Sequence, residues 1–153
     1  MNIVEIRQAL QQPFFDSSIV RHGFTRYNRD YDVVIAINES QFRYRFTHCP
    51  FANLATVVQD QIWRASWDDV FIRYSDWERG GAPEGFVWGV NYANAYPGAR
   101  LVEESPLASE WSERFGKQMR HANIQTNTYS LDLVFYDLRV TELETTKEQR
   151  GSR

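Results

Sequence analysis

Alternation of apolar and polar positions is the clearest signal in this chain. Tyr31, Val33, Ile35 and Ile37 alternate with Asp32, Val34, Ala36 and Asn38. Asn38-Glu39-Ser40 is a short polar turn, after which Phe42, Tyr44 and Phe46 alternate with Gln41, Arg43, Arg45 and Thr47. Successive side chains of a strand point to opposite faces, so two such runs about a turn predict a β-hairpin. Its second strand should turn its aromatics inward and its arginines outward. Pro50 should end it.

Helical spacing appears elsewhere. Ile3, Ile6 and Leu10 predict a helix over 3–11, stopped by Pro13. Trp67, Val70, Phe71, Tyr74 and Trp77 form a broad stripe at helical spacing. Ser66 is placed to open that helix, Asp68 and Asp69 suit its first turn, and Gly80-Gly81 stops it. Ser105-Pro106 opens a second such helix, lined by Leu107, Trp111 and Phe115, because proline lacks only an N–H that a first turn leaves unused. Residues 54–63 are expected as a strand, although so short a mixed run also fits a helix. Strands are further expected at Gly85–Tyr92, Ala99–Glu103, Ile124–Tyr129 and Leu131–Leu143, with a turn at 94–98. The segment 16–29 has no clear period, and Gly23 marks a turn or bulge there. Leu131, Leu133 and Phe135 share one parity and Leu138 and Val140 the other, which calls for a bulge near Tyr136-Asp137.

These elements predict one α+β domain over 1–143, with a mainly antiparallel sheet of about five to seven strands and two or three helices packed on one face. Residues 144–153 read as a charged flexible tail.

Composition narrows the class further. The chain has 153 residues, 15% of them aromatic, which is too rich in large apolar groups for a disordered chain. Seventeen basic and twenty acidic residues give a formal charge of -3, which argues against a strongly basic nucleic-acid binder. No apolar run approaches the length of a membrane span, and no signal segment is visible, so a cytoplasmic protein is expected. The one cysteine, Cys49, excludes an internal disulfide and any multi-thiolate zinc site.

Candidate chemistry is sparse. The glycine-rich stretch Arg79–Gly85 fits no phosphate-loop pattern and follows a helix, the wrong order for such a loop, so it reads as a connection. His22, His48 and His121 lie far apart without a second ligand at helical spacing, so neither metal nor cofactor is expected. No GxSxG motif and no Ser/His/Asp grouping of recognisable order stands in the chain. The most suggestive set is Arg26, Arg29, Arg43 and Arg45, a guanidinium stripe on and just before the hairpin. Such a stripe suits an acidic protein partner. It suits single-stranded nucleic acid less well, because Tyr44 and Phe46 fall on the opposite face. The leading reading is a non-catalytic protein-binding domain. The alternatives are a small enzyme assembled from distant residues such as Cys49, His22 and Asp30, and a phosphate- or nucleic-acid-binding module using the four arginines.

A set of strings supports the first reading. His22-Gly23-Phe24, Arg29-Asp30-Tyr31-Asp32, Ser66-Trp67-Asp68-Asp69, Gly85-Phe86-Val87-Trp88-Gly89-Val90, Ala95-Tyr96-Pro97-Gly98, Thr126-Asn127 and Leu133-Val134-Phe135 occur in that order. Together they resemble the small bacterial YxiG-like proteins over about residues 20 to 143. The resemblance implies a bacterial cytosolic binding role, of the kind found among genes for toxins and immunity proteins, and so gives the first reading its immunity or inhibitor type. It supplies no catalytic residues.

Overall fold

The computed structural model describes residues 1–25, 29–56, 64–67, 70, 71, 73–85, 87 and 93–144. Helix α1 spans Ile3–Phe14, opened by a capping box in which the Asn2 side chain accepts from the Glu5 amide and the Glu5 side chain accepts from the Asn2 amide. Pro13 does not end it. The helix runs one residue further, to Phe14, which is fully buried. That burial holds a last turn in which proline forgoes a backbone bond.

Eight strands follow: β1 Ser18–Phe24, β2 Tyr31–Ile37, β3 Ser40–Thr47, β4 Phe51–Ala55, β5 Ala93–Leu101, β6 Arg120–Thr126, β7 Ser130–Phe135 and β8 Asp137–Leu143. They pair antiparallel in the order β4-β7-β6-β5-β1-β2-β3-β8. The sheet is therefore larger than the five to seven strands expected. The β2–β3 hairpin has the predicted register, with Val33 opposite Tyr44 and Tyr31 opposite Phe46.

The sheet curls over one core. β3 and β7 lie far apart in the strand order, yet Phe46 and Phe135 meet edge to face at 4.9 Å between ring centroids. Phe14 of α1 meets Tyr44 the same way at 4.6 Å. Ile6, Leu10, Phe14, Ile35, Ile124 and Leu133 fill the space between, all fully buried. Gly98 on β5 makes room for the end of α1: a Cβ there would lie 3.3 Å from the Phe15 amide nitrogen.

Two short helices complete the described fold, α2 Tyr74–Arg79 and α3 Pro106–Phe115. The helix expected from Ser66 is displaced. Ser66 forms a bridge, the Val70 and Phe71 amides both donate to the Trp67 carbonyl, and α2 begins only at Tyr74. The Trp67 and Trp77 indoles instead hold the glycine-rich connection, donating to the Glu84 and Pro83 carbonyls. α3 matches expectation, with Ser105 capping the Ala108 amide, Pro106 in the first turn, and Gly116 left-handed after the end.

The helices do not share one face. α1 contributes to the main core, whereas α3 packs on the other side of β6 and β7. His121 alternates with the core residue Ala122 and so points away from that core, and it bonds Ser105 at the start of α3. Val134, paired with His121, is fully buried on this second side.

Other expectations shift in detail. The strand begun at 54 begins at Phe51, directly after Pro50. Residues 94–98 are not a turn but lie within β5, where two extra residues bulge between Ala95 and Gly98. The expected single strand 131–143 is two strands broken at Tyr136, which belong to different parts of the sheet. The bulge in β1 lies between Ile19 and Arg21 rather than at Gly23. Residues 57–63, Asp68, Asp69, most of 85–92 and the tail from 145 lie outside the described residues. Among the described residues, no helix is long and apolar enough to cross a membrane.

Candidate binding face

The outer surface of β1, β2, β3 and β8 is built by register. Residues opposite one another in antiparallel strands share a face. Arg21 lies opposite Val34, Val34 opposite Arg43, and Arg43 opposite Thr141. The next row runs Gly23, Asp32, Arg45, Arg139. The inward rows between them carry Val33, Tyr44 and Phe46, all in the core. Alternation thus sends the aromatics in and the arginines out, as the hairpin pattern predicts.

These two rows hold four guanidinium groups and one carboxylate in a protein whose formal charge is -3. Arg45 is committed to Asp32 through two bonds, Nε to Oδ1 and Nη2 to Oδ2, each 2.8 Å. The hydrogen bond to Asp32 raises the Arg45 pKa further above its ordinary value. Arg45 is therefore neutralised within the face rather than freely solvated. On its other side stands Arg139, directly opposite and exposed. Like charges in that position destabilise a sheet. Val34, between Arg21 and Arg43, is only 1% exposed; long arginine stems can cover such a residue while their heads reach water. A cleft of about 210 Å³ opens beside Gly23, with Arg21 and Asp32 among its walls.

Of the four arginines expected in a site, two are on this face, Arg43 and Arg45. Arg29 is elsewhere: it is exposed in the β1–β2 connection, left-handed at φ 51°, and its carbonyl accepts from the Cys49 amide. Arg26 lies outside the described residues. Arg21 and Arg139 are the members that sequence reading misses. Arg139 was legible from the parity of Leu138 and Val140. Arg21 was not, because the β1 bulge breaks the alternation just before it.

Cys49, His22 and Asp30 each bond to other groups rather than to one another. The Cys49 thiol is buried, donates to the Phe51 carbonyl, and is pushed up to about 12 by burial. His22 Nδ1 shares a 2.6 Å bond with the Tyr31 hydroxyl, and burial lowers its pKa. Asp30 Oδ1 accepts from the His48 amide. A thiol held neutral is a poor nucleophile.

The structure does assemble one grouping that the sequence order conceals. The Ser105 hydroxyl lies 2.8 Å from His121 Nδ1, and His121 Nε2 lies 2.7 Å from Asp132 Oδ1. Asn123 Nδ2 also donates to that carboxylate oxygen, at 3.1 Å. Ser105 and His121 line a cavity of about 350 Å³ beside α3.

The fold and its exposed arginine rows define an α+β protein dominated by a curled antiparallel sheet, with one charged face left open by α1 and α3. The chain belongs to the YxiG-like protein family, whose model matches residues 2–149. Comparison with curated proteins gave no match.

Proposed function

We propose that this chain is a protein-binding domain of immunity or inhibitor type, which meets an acidic protein surface through Arg21, Arg43 and Arg139. Binding at these two rows involves no turnover, since their ionisable groups are arginines that stay charged and one carboxylate already paired. The supporting observation is the register that sets Arg139 beside the Asp32–Arg45 pair and Arg21 and Arg43 in the adjacent row. Asp32 already answers Arg45, so carboxylates from a partner would pair with the other three guanidinium groups. The inward direction of Tyr44 and Phe46 removes the aromatic platform that single-stranded nucleic acid uses, which favours a protein over that alternative.

The test compares the wild-type chain with Arg43→Glu/Arg139→Glu, which spares the Asp32–Arg45 pair. Partner proteins are captured from host extract and identified by mass spectrometry, and association is then timed with the purified partner. Capture of an acidic protein is expected, with association slowed by about tenfold or more in the double variant at low salt. Equal association by both chains would remove this face from the reading.

A further inference from the structure

We infer that Ser105, His121 and Asp132 form an acyl-transfer site that cleaves short-chain carboxylic esters, separate from the arginine face. The three groups are linked in series by short hydrogen bonds, and the first two line a cavity while Asp132 stands behind the imidazole. A proton on Nε2 toward Asp132 leaves Nδ1 free to accept from the Ser105 hydroxyl, the arrangement a general base requires. Nucleophile, base and orienting carboxylate are recognised by these roles rather than by their order along the chain.

The local backbone supports the same assignment. β5 is joined to α3 through Glu104, which is left-handed at φ 50°. That sharp turn sets Ser105 at the positive end of a ten-residue helix. Its hydroxyl is fixed by the Ala108 amide at 3.1 Å. Pro106 has no N–H, and the Leu107 amide in the first turn has no acceptor within its own helix. Leu101, Val102, Ala108 and Met119 give the cavity apolar walls, and the Arg7–Glu103 ion pair also borders it. About 350 Å³ holds a small acyl group.

In the first step the Ser105 Oγ–carbonyl carbon bond forms and the hydroxyl proton passes to His121 Nδ1. The carbon–alkoxide bond then breaks, and the leaving alcohol takes that proton. Water attacks the acyl-serine, giving its proton to Nδ1. The ester bond to Oγ breaks, Oγ recovers the proton, and the acid leaves. Asp132 stabilises the imidazolium in both steps and remains ionised.

The experiment treats the full-length chain with a fluorophosphonate and, separately, with p-nitrophenyl acetate. One phosphonyl adduct on Ser105 is expected, with ester hydrolysis that the adduct abolishes. His121→Gln should slow labelling by about a hundredfold or more. Ser105→Thr, which keeps a capping hydroxyl, should lose hydrolysis while remaining folded by near-ultraviolet circular dichroism. Arg43→Glu/Arg139→Glu should label at the wild-type rate, which separates this site from the binding face. Absence of an adduct on the folded wild-type chain, an adduct at another residue, or labelling of folded His121→Gln at the wild-type rate would overturn the assignment. If His121→Gln does not fold, the position of the wild-type adduct decides.

Discussion

At the residue scale, Phe46 and Arg45 are neighbours in sequence with opposite duties. Phe46 is fully buried against Phe135, so Phe46→Ala should cost about 3–5 kcal/mol, read as a shift in denaturation midpoint. Arg45 makes a two-bonded, partly buried pair, and a cycle through Asp32→Asn and Arg45→Gln should return a coupling of roughly 1 kcal/mol. Cys49 reads differently. Its folded thiol keeps its proton to about 12, whereas an unfolded thiol releases it near 9.0. Between those values the folded chain binds the extra proton, so stability falls as pH rises above 9.0. Tyr31, Tyr44 and Tyr129, each raised from 10.0 to about 12 by burial, steepen that fall. Cys49→Ala should flatten the first part of the alkaline profile. Native Cys49 should also label slowly with a thiol reagent and rapidly once unfolded. Fast native labelling would contradict its burial.

At the element scale, local chemistry specifies some boundaries and packing others. The start of α3 is set by Ser105 and Pro106, and its end by Gly116 at φ 61°. Ser105→Ala should therefore destabilise by about 0.5–2 kcal/mol, and Ser105→Thr by less, in thermal melts. The start of α2 was not readable in this way. Ser66 is a good capping residue, yet it forms a bridge, and the capping position of α2 falls to Arg73, whose side chain makes no capping bond. The apolar stripe from Trp67 to Trp77 reported partial burial only at Trp67, Phe71 and Trp77, whereas Val70 and Tyr74 are exposed. It did not report a continuous helix, because the two indoles are fastened to the connection at Pro83 and Glu84.

At the scale of the molecule, the decisive feature is the break at Tyr136. Its amide donates to the Thr47 carbonyl, and its own carbonyl accepts from Arg120. The chain thereby leaves β7 beside β6 and joins β3 as β8. This crossing places Arg139 next to Arg45 and completes the arginine face. Salt should weaken partner association because exposed charges are screened over about 10 Å at moderate ionic strength. Association rates measured across a salt series should converge for the wild-type chain and Arg43→Glu/Arg139→Glu. Rates that remain apart at high salt would mean the arginines act through packing instead.

The residues alone determined the hairpin, its inward aromatics and its outward Arg43 and Arg45, because period-two alternation is a local property read over a few positions. They determined α1 and α3 for a similar reason, since capping and helical spacing act within a turn or two. Family membership was also legible, from short strings in a fixed order. The number of strands, the curl of the sheet and the opposite placement of α1 and α3 were decided only by tertiary packing. So were the two main groupings. Arg21 joins Arg43 across the strands, and Ser105 meets His121 and Asp132 across β5, α3, β6 and β7. Both depend on register between segments distant in sequence. Register follows from burying a common core, and no local pattern of residue types carries it.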